Sequence, residues 1–162
     1  MKTTVPQIFD EIEKAGSKDA RIKLLQAYDH PVLRGILQIN YDPNVTVYLP
    51  EGEPPFKKDT SIPVGYSETN LYTEFRRFYI WLQKDINLTK GRKEQLFIQF
   101  LEGIHWSEAE AILLAKDRKL QTKYKQLKEE LIRDAFPGLL PAQIKKPAGE
   151  SKAKKSESLN AS

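Results

Sequence analysis

The chain has 162 residues, 40% hydrophobic and 30% charged, with a formal net charge of +4 and no cysteine. That length and mix predict one soluble domain with a real core, and the missing cysteine excludes disulfides, thiolate nucleophiles and Cys-based zinc sites. Of 26 basic and 22 acidic residues, five lysines and two glutamates fall after position 141, leaving a nearly balanced 21 and 20 before it. A nucleic-acid role must therefore rest on local clustering of cations rather than on bulk charge.

In chain order, the pattern predicts helices. Thr4 and Gln7 make a capping box, with Pro6 where a missing N–H costs little. Ile8, Phe9 and Ile12 give this first helix its buried face, and Gly16 ends it. Ser17 caps a second helix over about 18–28, burying Ala20, Ile22, Leu24 and Leu25. A third, over about 30–40, starts at His30 and buries Val32, Leu33, Ile36 and Leu37. Connections this short require the three to fold back on one another. Tyr41-Asp42-Pro43-Asn44 is a turn by composition. Val45 to Leu49 is β-prone and is the only strand-like piece expected.

Residues 50–65 carry Pro50, Pro54, Pro55, Pro63, Gly52 and Gly65 and read as a long surface loop, a kind that is either functional or mobile. A fourth helix over about 70–84 has Leu71, Phe75, Phe78 and Leu82 as a core stripe, widened by Tyr72, Tyr79 and Trp81, with Arg76 and Arg77 on the other side.

The most informative stretch is 94–141. Leu96, Phe97, Phe100, Leu101 and Ile104 mark one helix face, and Gly103 suits its exit. His105 reads as a turn residue beside Trp106. Ser107 with Glu110 then gives a second capping box, and Ile112, Leu113 and Ala115 an inner face. Across 116–128 the cations Lys116, Arg118, Lys119, Lys123, Lys125 and Lys128 face a single acid, Asp117. A last helix carries Leu127, Leu131 and Ile132 and stops at Phe136-Pro137-Gly138-Leu139-Leu140-Pro141. Leu96, Phe100, Ile112 and Leu131 are expected to be buried together. The fold expected is all-α, a compact bundle of six or seven helices over 1–141. Residues 142–162, rich in Ala, Ser, Lys and Glu, form a basic tail expected to be disordered and dispensable for stability.

The chemistry is defined largely by exclusion. The only histidines, His30 and His105, sit in no metal-binding spacing, and no glycine-rich phosphate loop is present. Carboxylate pairs such as Glu129-Glu130 fall on helix faces suited to solvation rather than acid–base work. No apolar run approaches the ~18 residues of a membrane span. The expectation is a protein that is not an enzyme, uses no cofactor and does not enter a membrane. The 116–128 cluster is the best candidate for chemistry, because cations at the mouth of a helix pair can neutralise phosphates. The competing reading is a solvated, acid-interleaved helix face.

Two stretches carry a resemblance. Ile8-Phe9-Asp10-Glu11-Ile12, Gly16-Ser17, Leu24-Leu25 and Leu33 through Tyr41 to Tyr48-Leu49 form the first; Lys116-Asp117 and the Phe136-to-Pro141 closure form the second. Together they resemble the N-terminal, all-helical DNA-binding domain of phage ATP-dependent DNA ligases. The layout is also similar to a family of uncharacterised proteins of large T-even-like tailed phages, marked by Asp42-Pro43-Asn44-Val45 and Leu49-Pro50-Glu51-Gly52. The resemblance implies a phage protein of the host cytoplasm that grips duplex DNA by its backbone without catalysis. The nucleotidyl-transfer motif Lys-x-Asp-Gly is absent, so ligase activity is not expected. The ligases' glycine after Arg-Asp is also missing, and Leu120-Gln121-Thr122-Lys123 stands in its region.

Two functions follow as expectations. In the first, the protein is a replication accessory that binds duplex DNA weakly and without sequence preference through Lys116, Arg118, Lys119, Lys123, Lys125, Lys128, Arg76 and Arg77. In the second, the same scaffold docks on a phage replication, transcription or virion protein, motivated by the near-neutral core and the 50–65 loop. Cations gathered on one face favour the first; cations interleaved with acids favour the second.

Overall fold

The computed structural model describes residues 2–142, and the expectation for the basic tail falls almost wholly outside them. The fold is all-α, as expected. Three helices come first: α1 (Val5–Lys14), α2 (Lys18–Ala27) and α3 (Pro31–Tyr41). A continuous helical run follows, made of α4 (Leu71–Glu74), a 3₁₀ turn (Phe75–Phe78) and α5 (Tyr79–Leu82). The second half holds α6 (Lys90–Gly103), α7 (Trp106–Lys116), the single turn α8 (Leu120–Lys123) and α9 (Glu129–Ala135). With 71–82 taken as one run, the described residues hold eight helices, one more than expected. The addition is α8, inside the stretch read as a connector.

Side chains set the helix starts. Thr4 accepts from the Gln7 amide while the Gln7 side chain accepts from the Thr4 amide, completing the expected capping box. Ser17 accepts from Ala20, and His30 accepts through Nδ1 from Val32. α7 differs from expectation: its cap is His105, not Ser107, and its partner in the capping box is Glu108, not Glu110. The helix thus starts two residues early. α6 likewise starts ahead of its apolar run, at a Thr89 cap.

α7 lies at the centre, packed on α1, α3, α6 and α8. Ala109, Ala111, Ile112, Leu113 and Ala115 are all buried, so this helix is apolar on most sides, as a central helix must be. α2 contributes little to the core for its length: only Leu25 is buried there, and Ala20, Ile22 and Leu24 are half-buried. Phe100, Ile112 and Leu131 are buried as expected, whereas Leu96 is half-buried.

The 71–82 run corrects the expected stripe. The 3₁₀ turn winds tighter than an α-helix. Leu71, Phe78 and Trp81 point inward, while Phe75 and Leu82 are half-buried and Tyr79 is 55% exposed. Phe78, Trp81, Phe97 and Phe100 form one aromatic cluster, with mostly edge-to-face rings whose centroids are 5.2–6.3 Å apart. This aromatic stripe is core, not a base-stacking platform.

Phe75 stacks on Phe78 and covers Gly35 of α3, where an added Cβ would stand 2.5 Å from the ring. Gly35→Ala should therefore destabilise the protein despite its gain in helix propensity of roughly 1 kcal/mol. Overpacking costs of about 1–3 kcal/mol outweigh that gain, and a higher urea midpoint for the variant would show that the Phe75 ring swings aside freely.

No strand forms among the described residues, and Val45–Leu49 is an extended segment that bends at Leu49. It still keeps a strand's alternation: Val45, Val47 and Leu49 are half-buried while Thr46, Tyr48 and Pro50 are exposed. At the chain's end, the Leu139 amide donates to Phe136 O at 3.1 Å across Pro137-Gly138, with Gly138 at φ +88°. This is a turn that needs glycine at its third position, and it realises the expected Pro-Gly-Leu closure.

Candidate interaction surface

The connector after α7 and the long 42–70 segment are one structure. α7 ends with Arg118 in the left-handed region at φ 61°. The Arg118 amide donates to Ala115 O at 3.0 Å and the Lys119 amide to Leu114 O at 2.8 Å. That is the pair of bonds that usually places glycine at this position. Arginine is held there by its guanidinium, which donates to the carbonyls of Asn40 and Val45. Asn40, itself buried, accepts the Leu120 amide at 3.1 Å.

Lys116 has a side chain only 2% exposed; its ammonium donates to Pro50 O at 2.8 Å and to Asp117 at 2.6 Å. Asp117 in turn accepts the Gly52 amide at 2.9 Å. Lys119 pairs with Glu51 at 3.3 Å. Further along, Glu102 of α6 accepts the Lys57 amide at 2.7 Å, and His105 Nε2 lies 2.9 Å from Ile62 O, to which it donates. The Thr69 amide closes the segment on Gly103 O at 2.9 Å. Side chains thus fasten a stretch with almost no regular structure at spaced points along two helices.

This geometry decides where the eight candidate cations stand. Lys116 and Arg118 are part of the fold, a correction to their expected place on a phosphate-facing surface. Their hydrogen-bonding groups are already engaged by carbonyls returning from the 40–50 region. Lys119 pairs with Glu51, Lys123 with Glu110, and Arg77 with Glu74 at 3.2 Å. Arg76, Lys125 and Lys128 are exposed and make no ion pair among the described residues. Acids therefore interleave the cluster.

A different group of cations stands uncompensated. Lys90, Arg92 and Lys93 occupy the first turn of α6, which holds no acid, and none makes an ion pair among the described residues. Sequence reasoning passed over them, although Lys90-Gly91-Arg92-Lys93 at a helix start, where the dipole disfavours cations, was the available signal. Lys90 and Lys93 line one wall of an open groove of about 500 Å³, whose other wall is Val47, Tyr48, Leu49 and Pro50, with Glu94 completing it.

Among the described residues Glu108 is the one buried acid, 1% exposed. It accepts the Leu71 amide at 3.1 Å and the His105 amide at 3.2 Å, capping α4 and α7 together. Burial raises its pKa above the ordinary 4.5, with the two amides opposing. A carboxyl raised on folding binds more protons in the native state, so it contributes stability at low pH that is lost as pH rises through the window above 4.5. Relative to Glu108→Gln, the wild-type protein should lose stability as pH rises above 4.5. Parallel pH profiles for the two would mean that the carboxyl titrates normally.

No helix among the described residues is long and apolar enough to cross a membrane, and no group of three or more potential metal ligands gathers among them. A search of curated proteins gives no match. The model of a family of unknown function, DUF6433, matches residues 8–122, from α1 through the fastened segment to α8, and the chain belongs to that family.

Proposed function

We propose that the protein is a non-catalytic protein-interaction module. The observation that carries this reading is the fate of the cationic cluster: Lys116 and Arg118 hold the 45–52 segment, and Lys119, Lys123 and Arg77 are paired with acids. Phosphate binding through that cluster would require breaking those pairs, and its three unpaired members, Arg76, Lys125 and Lys128, release few counterions. The near-neutral charge balance before residue 142 and the long 50–65 loop support docking on a protein, for which phage replication, transcription or virion proteins are the partner classes we propose.

Titration against a labelled DNA duplex at ~50 mM salt tests it, since electrostatic association is strongest there. No saturable binding is expected. Binding that falls steeply with salt, and whose log–log slope flattens by roughly two when Lys119 and Lys123 are reversed to Glu, would instead establish the duplex-DNA reading.

A further inference from the structure

We propose that the groove between the 45–50 segment and α6 binds an extended, acidic peptide segment of a protein partner. Its backbone would pair with the open edge at Val47 and Leu49, and its carboxylates with Lys90 and Lys93. The inference rests on the interaction-module reading above and names the partner's chemistry.

The first support is the backbone. Tyr48 donates its amide to Trp81 O of α5 at 2.7 Å, and Pro50 O accepts from Lys116 at 2.8 Å. Along an extended chain, successive amides point to opposite edges. By that alternation the Val47 amide belongs to the opposite edge, the chain bends at Leu49, and neither the Val47 nor the Leu49 amide has a partner among the described residues. The segment behaves as a strand with one edge docked on a helix and the other edge open. An open edge is a template for an added strand.

The second support is charge. Among the described residues Lys90 and Lys93 line the groove without an acid partner, and the Arg92 side chain adjoining them has only Gln95 as a partner, at 2.9 Å. Glu94 is the single acid lining this groove, so its wall is net positive. Alternating side chains of an added strand would set every second one toward this wall, and carboxylates complement it. The third support is Tyr48, 37% exposed beside the open edge, an aromatic placed to cover an incoming chain. A duplex fits less well, because only an extended peptide uses the free backbone edge.

The test uses the full chain and a labelled peptide of about ten alternating Asp and Val residues, with a Lys/Val peptide as control. At ~50 mM salt the acidic peptide should bind saturably and the control should not. On binding, amide exchange at Val47 and Leu49 should slow, while Tyr48, already bonded, stays unchanged. Reversing Lys90, which is exposed, and Lys93, which is half-buried, to Glu should weaken binding by at least about tenfold while the melting temperature does not fall, since acids suit a helix N-terminus.

Equal binding of the two peptides, no binding of either, or protection elsewhere overturns the peptide site and leaves the module reading standing. Displacement of the peptide by a DNA duplex, with duplex binding lost on the same reversal, overturns both.

Discussion

Replacing Phe100 by alanine lowers the unfolding free energy by about 3–5 kcal/mol, the range for emptying a buried aromatic position. Phe100 is 2% exposed and sits among Phe78, Trp81 and Phe97, with ring centroids 5.6–6.2 Å away. Its neighbours cannot close the void cheaply. Trp81 is held by its own bond from Nε1 to Lys93 O at 2.9 Å, and Phe78 belongs to the 3₁₀ turn. Urea unfolding followed by tryptophan fluorescence measures the loss directly. A loss under about 1 kcal/mol would place the ring at the surface.

Lys116→Met is the second large effect, at about 3–5 kcal/mol, because it removes one partner of a buried ion pair while keeping most of the side chain's volume. Asp117, 13% exposed, is left with the Gly52 amide but without its cation, and Pro50 O loses its donor. The damage should be local as well as global: the 50–53 region should become the first site of limited proteolysis. Adding Asp117→Asn to the variant should recover part of the loss, since the stranded charge is then gone. A Lys116→Met protein as stable and as protease-resistant as the wild type would put the ammonium in solvent.

How far the sequence could be read depended on the range of each interaction. Thr4 with Gln7, Ser17, His30 and Pro137-Gly138 act within a few residues of themselves, and each did what local chemistry required. Helix periodicity found the faces of α1, α3 and α7. It failed at 75–78, where a 3₁₀ turn rotates the stripe so that Trp81 enters in place of Leu82. Hydrophobic spacing carries no mark of that overwinding. His105 was missed as a cap because Ser107 is the better acceptor in isolation; the ring of His105 is fixed by Ile62, 43 positions away.

The engagement of Lys116 and Arg118 within the cationic connector was not legible for the same reason on a larger scale. Lys116 meets Pro50 across 66 positions and Arg118 meets Val45 across 73. A lysine's burial is decided by where a distant carbonyl returns, and composition cannot show that. The alternation of Val45, Val47 and Leu49 was legible, but its partner is a helix rather than a second strand.

The spaced fastenings of the 42–70 segment also set how its length can drift. Between Val45 and Gly52 the attachments fall so close together that an added residue would pull Pro50 or Gly52 off α7's end. Between Lys57 and Ile62 the chain is exposed at every position from Lys58 to Ser61, and its one contact with a helix there among the described residues is the Lys58 ammonium, 5.7 Å over the Trp106 ring of α7. Insertions are cheap where a loop tip is free, since loop entropy grows slowly with length. The segment therefore divides into a part whose length is locked to the helices and a part free to grow. New sequence, and any new specificity it carried, would enter at 59–61 with least disturbance to the rest.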